Sequence, residues 1–118
     1  GRVGEQVASP LVTVVDDASY AREWGTFRID DEGTPARRNV LIEDGVLTDY
    51  MWDYLRARQE GRQSSGNGRR ETYQHLPMVR MTSTYLLAGH DSADDIIAST
   101  RATLAILKSL QTGQASLL

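Results

Sequence analysis

No cysteine occurs among the 118 residues, which excludes disulfides and thiolate chemistry within the chain. Aromatic residues are scarce at 7%, so any core has to be mainly aliphatic. No apolar run approaches the ~20 residues that a membrane-spanning helix needs. The opening Gly1-Arg2-Val3-Gly4-Glu5 has none of the apolar stretch of a secretion signal. Excess positive charge is missing too: the net charge is −3, which gives no electrostatic reason to expect nucleic acid as the default partner. No internal repeat or interdomain linker divides the chain. Together these absences predict a single domain-sized unit in the cytoplasm, without a membrane partner. There is also no initiator Met, and Val7 already begins an apolar stretch, so the chain is expected to start inside a larger protein.

What is present is ordinary for a globular protein, with 40% hydrophobic and 25% charged residues. Residues 7–15 are β-branched and apolar and predict a strand, with Pro10 at an edge or bulge. Asp16-Asp17-Ala18-Ser19 reads as a turn. Residues 26–30 alternate and predict a short half-buried strand, followed by an acidic turn over 31–35. Asn39–Glu43 and Val46–Thr48 flank Asp44-Gly45, a pair that supports the positive φ angles of a tight hairpin turn. A helix is expected over 50–61, capped by Asp49 and ended by Gly61. Residues 61–70 are expected to form a loop, and 78–87 one longer strand. Ser92 with Asp95 three residues on is a capping-box variant that opens a helix over 93–110, with Ile96, Thr100, Leu104 and Leu107 on one buried face. The fold class is α+β, an antiparallel sheet with helices added.

The chemistry is thin. A metal centre needs three or four converging ligands, and the chain has only His75 and His90, in no paired spacing. Gly66-Asn67-Gly68-Arg69-Arg70 lacks the Gly-Lys-Ser/Thr ending of a phosphate loop. It is still the most suggestive stretch. Its glycines let the backbone approach another chain closely, and its arginines can hold a carboxylate by paired hydrogen bonds; a flexible surface loop with solvated arginines is the plainer reading. Arg56, Arg58, Arg62, Arg69, Arg70 and Arg80, interleaved with Tyr54 and Tyr73, could bind single-stranded nucleic acid, but Glu60 and Glu71 dilute them. Asp16, Asp17, Asp30, Asp31 and Glu32 could bind Ca²⁺ or act as acid and base; solvated turn acids are the commoner case.

Several segments taken together resemble the TldD/PmbA family, known also as modulators of DNA gyrase. They are residues 4–9, Val14-Val15-Asp16-Asp17, residues 29–35 and 39–47, Tyr50-Met51, Gly66-Asn67-Gly68-Arg69-Arg70-Glu71 and residues 75–82, in order and spacing over about residues 1–101. The TldD side of the family looks closer than the TldE side. Where Ser83 stands the family usually has Asn, and residues 102–118 read as a divergent tail. The resemblance implies a zinc metallopeptidase that processes or degrades peptides. Its H-E-x-x-x-H motif would precede Gly1 and its ligating Cys would follow Leu118. No catalytic or metal-binding residue carries over to this chain, which is therefore expected to be inactive alone and to hold no cofactor. What carries over is scaffold and one wall of a peptide cleft, with Asn67, Arg69, Arg70 and Arg80 as candidate substrate-binding residues. The resemblance also implies a homo-oligomer or a TldD–TldE-type pair. Strands cut off from their partners leave open edges, so the isolated chain is expected to self-associate. A non-catalytic binding or assembly module on the same scaffold is the alternative, and a nucleic-acid-binding domain the more distant one.

Overall fold

A computed structural model describes residues 1–112. It divides into two compact units, one over Gly1–Ala88 and a second that starts at Gly89. The first holds β1 (Val14–Asp17), β2 (Arg38–Glu43), β3 (Val46–Leu47), α1 (Tyr54–Gln59), β4 (Gly68–Arg69), β5 (Met78–Val79) and β6 (Thr84–Leu86). The second holds α2 (Ala93–Thr112). This is an α+β pattern: β3-β2-β1-β6 form one antiparallel sheet, and β4 and β5 pair separately.

Local chemistry explains the β2–β3 hairpin. Asp44 and Gly45 take φ angles of 48° and 80°, so the positive-φ turn forms where the Asp-Gly pair allows it. It aligns Ile42 with Leu47 and Glu43 with Val46. The outer edge of β3 is covered by the start of the chain. The Gly4 amide donates to the Leu47 carbonyl at 2.8 Å, the Leu47 amide to Glu5 at 3.0 Å, and the Val7 amide to Gly45 at 2.9 Å.

The apolar run at 7–15 is therefore not one strand. Residues 4–8 lie along β3, Ser9-Pro10-Leu11-Val12 turns, and β1 begins only at Val14. β1 then continues through Asp16 and Asp17, which are strand residues and not a turn. A register shift between Val14 and Val15 marks a bulge against β2. Residues 26–30 make only an isolated bridge, Ile29 to Pro35.

Helix α1 is shorter than the pattern suggested because Asp53, not Asp49, caps it. The Arg56 amide donates to Asp53 Oδ1 at 2.7 Å. Asp49 instead accepts from the Tyr50 amide, Trp52 Nε1 and Arg62 Nη1, at 2.8, 2.9 and 2.9 Å. The strand expected over 78–87 is broken into β5 and β6. Between them, Thr82 turns its amide and hydroxyl toward Asp16.

Helix α2 starts at the Ser92 cap, with the Asp95 carboxylate turned to the Ser92 hydroxyl. The Asp95 amide donates to Ser92 Oγ at 3.1 Å, and Ser92 Oγ to Asp95 Oδ2 at 2.6 Å. No residue of α2 is buried, so the face of Ile96, Leu104 and Leu107 is exposed and not part of a core. Gly113 and the remainder of the tail lie outside the described residues.

Candidate functional site

The interior of the first unit is mainly polar. Val15, Ala18 and Ala57 are its buried apolar residues, whereas Asp16, Asp17, Asp30, Asp53, Ser64, Ser65 and Asn67 are buried polar ones. Buried polar groups are tolerated when every donor and acceptor is matched. Asp16 shows how. Its Oδ1 accepts from the Thr82 amide at 2.8 Å and Thr84 Oγ1 at 2.6 Å. Its Oδ2 accepts from Asn67 Nδ2 at 2.6 Å and Thr82 Oγ1 at 2.9 Å.

Asn67 is wholly enclosed. Its Oδ1 accepts from Ser65 Oγ at 2.5 Å and Asn39 Nδ2 at 3.3 Å. Its Nδ2 also reaches the Arg80 carbonyl at 3.1 Å, and the Arg80 amide donates back to the Asn67 carbonyl at 3.0 Å.

The acidic turn holds the same loop from its other side. Asp30 Oδ2 accepts from the Gly68 amide at 3.0 Å, and its Oδ1 closes the turn on the amides of Glu32 and Thr34. Asp31 Oδ2 accepts from the Arg70 amide at 2.7 Å. Two glycines make this approach possible. Gly66 has φ +80° and would place a Cβ 2.9 Å from the Pro35 carbonyl oxygen. A Cβ on Gly68 would collide with the Glu32 side chain, which accepts from the Tyr54 amide at the start of α1.

Residues 61–70 are thus a loop with a buried centre that ends in a strand, not a solvated one. The acids at 16, 17 and 30 are buried and not solvated; donors reach both oxygens of Asp16 and Asp30, and Asp17 Oδ1 accepts from the Ser19 amide and hydroxyl. The signal for this was in the sequence. Val14-Val15 run into Asp16-Asp17 with no glycine, proline or asparagine between, so strand alternation sends one carboxylate inward.

The four residues singled out from sequence do come together. β4 and β5 align Gly68 with Val79 and Arg69 with Met78, and Arg69, Arg70 and Arg80 line one open groove of about 550 Å³ with Glu71, Met78, Val79 and Met81. Asn67 lies behind that wall, not on it. Arg69 packs over the Phe27 ring at 5.2 Å, and its Nη1 reaches the Met81 carbonyl at 3.5 Å. Arg56 and Arg62 are spent elsewhere, on ion pairs with Asp53 and Asp49, so the arginine cluster does not form one continuous basic track.

One polar atom is left over. Ser83 Oγ is the buried side-chain oxygen without a hydrogen-bond partner among the described residues. Leaving such a group unmatched costs about 1–3 kcal/mol.

A zinc site does not fit here. Among the described residues no three His, Cys, Asp or Glu converge on one point. His75 is exposed, with Nδ1 2.7 Å from Thr72 Oγ1. No described helix is long and apolar enough to cross a membrane.

What these residues build is an α+β scaffold with a groove beside its smaller sheet. The comparisons with known proteins place it: the family model for the PmbA/TldA metallopeptidase C-terminal domain matches residues 1–117, and the chain belongs to that family. A metalloprotease TldD homolog of Haemophilus influenzae is 55% identical over 101 residues, covering 86% of this chain and 21% of the relative. A metalloprotease of Methanocaldococcus jannaschii is 34% identical over 113 residues, covering 96% of this chain and 25% of the relative. Among solved structures, TldE from Thermococcus kodakarensis superposes with a TM-score of 0.71 at 37% identity, covering 82% of this chain and 22% of that one. A protein from Thermotoga maritima described as a modulator of DNA gyrase gives 0.68 at 30% identity, covering 79% and 20%. The chain therefore spans between a fifth and a quarter of the length of these relatives.

Proposed function

We propose that this chain is the scaffold and one cleft wall of a TldD-type, zinc-dependent peptidase of the cytoplasm, and that it is inactive by itself. The observation that supports this most is the double anchoring of the Gly66–Arg70 loop. Asp16 fixes it through Asn67 and Asp30 fixes it through Gly68, so Arg69, Arg70 and Arg80 stand at set positions beside the β4–β5 pair. In this reading Arg70 and Arg80 meet the peptide, while Asn67 acts from behind by holding Arg80. The anchored backbone sets where these arginines start, and their guanidinium groups can hold a carboxylate by paired hydrogen bonds. The zinc of the intact enzyme belongs to other residues, so no bond-breaking step is assigned to this chain.

The test uses a full-length enzyme that contains this segment. Arg70→Ala and Arg80→Ala should each lower peptide turnover about tenfold or more, in line with losing a charged hydrogen bond, while the melting temperature stays put. Full activity in both variants would sink the cleft-wall reading. Tightly held stoichiometric zinc in the purified 118-residue chain would sink the claim that the metal ligands lie elsewhere.

Assembly follows from exposed apolar surface. α2 leaves Ile96, Ile97, Leu104, Leu107 and Leu110 in solvent, and β6 is a sheet edge. We propose self-association of the isolated chain, and a homo-oligomer or TldD–TldE-type pair for the intact protein. Light scattering should give a mass above that of one 13.1 kDa chain, falling toward it in Leu104→Lys/Leu107→Lys. A monodisperse wild-type monomer contradicts the proposal.

A further inference from the structure

A second recess, of about 420 Å³, lies beside β6; Thr82 and Thr84 line it from the Asp16 network, and Met81 is shared with the groove. Ser83 and Tyr85, two residues apart along the strand path, share the face opposite Thr84, whose hydroxyl goes to Asp16. Two aromatic rings wall the recess and a third stands at its rim, free in solvent. Tyr20 and Tyr85 lie with centroids 5.4 Å apart at 50°, and Trp24 stands beside them, fully exposed. The Thr82 and Thr84 hydroxyls in its lining are turned to Asp16, and Ser83 Oγ is sealed from solvent. That leaves the Glu23 carboxylate, which has no ion-pair partner among the described residues. No cationic side chain lines it.

The loop that carries Tyr20, Glu23 and Trp24 is fixed in place. The Phe27 amide donates to the Ala18 carbonyl at 3.1 Å across its base, and the Thr26 amide to the Glu23 carbonyl at 3.0 Å. Gly25 lies so close on the Thr82–Ser83 peptide that an added Cβ would stand 2.7 Å from Ser83 Oγ. Arg22 accepts a φ of +69° to make the bend.

Aromatic faces and a carboxylate around one hollow are the chemistry that holds an ammonium or guanidinium group. The neighbouring sheet edge supplies main chain. The Asp17 amide bonds the Ser83 carbonyl and the Leu87 amide bonds the Thr13 carbonyl, so the alternate residues Thr84 and Leu86 turn their N–H and C=O groups outward along open β6. We infer that this recess, with the β6 edge, binds an extended peptide segment by a lysine or arginine side chain. The cation lies among Tyr20, Trp24 and Tyr85 and pairs with Glu23, and the segment's main chain pairs with β6. The inference rests on the peptide-binding reading above and adds a charge preference to it.

The experiment titrates the purified 118-residue chain with three short alanine- and threonine-based peptides that differ at one central position: lysine, norleucine or glutamate. The heat of binding, by titration calorimetry, is the readout. The lysine peptide should bind about fivefold tighter than the norleucine peptide, the scale of a cation over aromatic faces, and should weaken as salt rises. Glu23→Gln and Trp24→Leu, both at exposed side chains, should each remove that preference without lowering the melting temperature. Equal binding of lysine and norleucine would make the recess merely apolar and overturn the inference. So would undetectable binding of the lysine peptide, or unchanged lysine affinity in both variants. If the preference fails while Arg70→Ala still slows turnover in the intact enzyme, the recess assignment alone is lost and the cleft wall stands.

Discussion

Up to Ala88 the molecule buries more polar residues than apolar ones; in α2 no residue is buried, and the large apolar side chains stand in solvent. Asp16 gathers donors from residues 51 to 68 positions away in sequence, whereas the hydroxyls of Thr100, Thr103 and Thr112 in α2 reach carbonyls only three or four residues back. The difference lies in what holds each shape. The first unit depends on a few long-range polar nodes, each of which is costly to lose because the groups around it are sealed from water. The helix depends on its cap and on backbone hydrogen bonds, each worth little alone.

The sharpest way to break this contrast is Asp16→Ala. It strips the acceptor from four donors at once and should cost about 4 kcal/mol, at roughly 1 kcal/mol or more for each buried donor left unmatched. That is a large share of a domain's stability of about 5–15 kcal/mol. Trp24 and Trp52 both lie in the first unit, so the urea midpoint by tryptophan fluorescence reports on it directly. An unchanged midpoint would mean that the Asp16 node holds nothing. Gly45→Ala comes next. Gly45 has φ +80°, and an added Cβ would sit 2.5 Å from the Ala8 carbonyl oxygen and 2.6 Å from that of Ser9. Both the turn and the chain start that covers β3 should suffer, by about 2 kcal/mol, read by the same midpoint. The smallest effect belongs to α2. Ser92→Ala removes the cap on the Asp95 amide and should cost about 1 kcal/mol, seen as lower far-UV helicity, with Ser92→Asp restoring it.

The same contrast explains what could be read from the residues in advance. The β2–β3 hairpin and the start of α2 were legible because Asp44-Gly45 and Ser92…Asp95 decide their own backbone angles. Arg69, Arg70 and Arg80 line one groove because the Gly-flanked loop runs into β4, which pairs with β5. The strand over 78–87 was misjudged because Thr82 is drawn to a carboxylate 66 positions earlier, which no window of neighbouring residues can reveal. Asp49 was a reasonable cap by composition, but Asp53 took the position and left Asp49 to the Trp52 indole and Arg62. The burial of Asn67 escaped notice for the same reason: its partners are Asn39, Asp16 and Arg80, far away along the chain.

The unequal edges of the four-stranded sheet have a consequence for assembly. Residues 4–8 lie along β3, whereas β6 has no further strand beside it among the described residues. A strand added at β6 would extend the sheet without displacing any pairing already made.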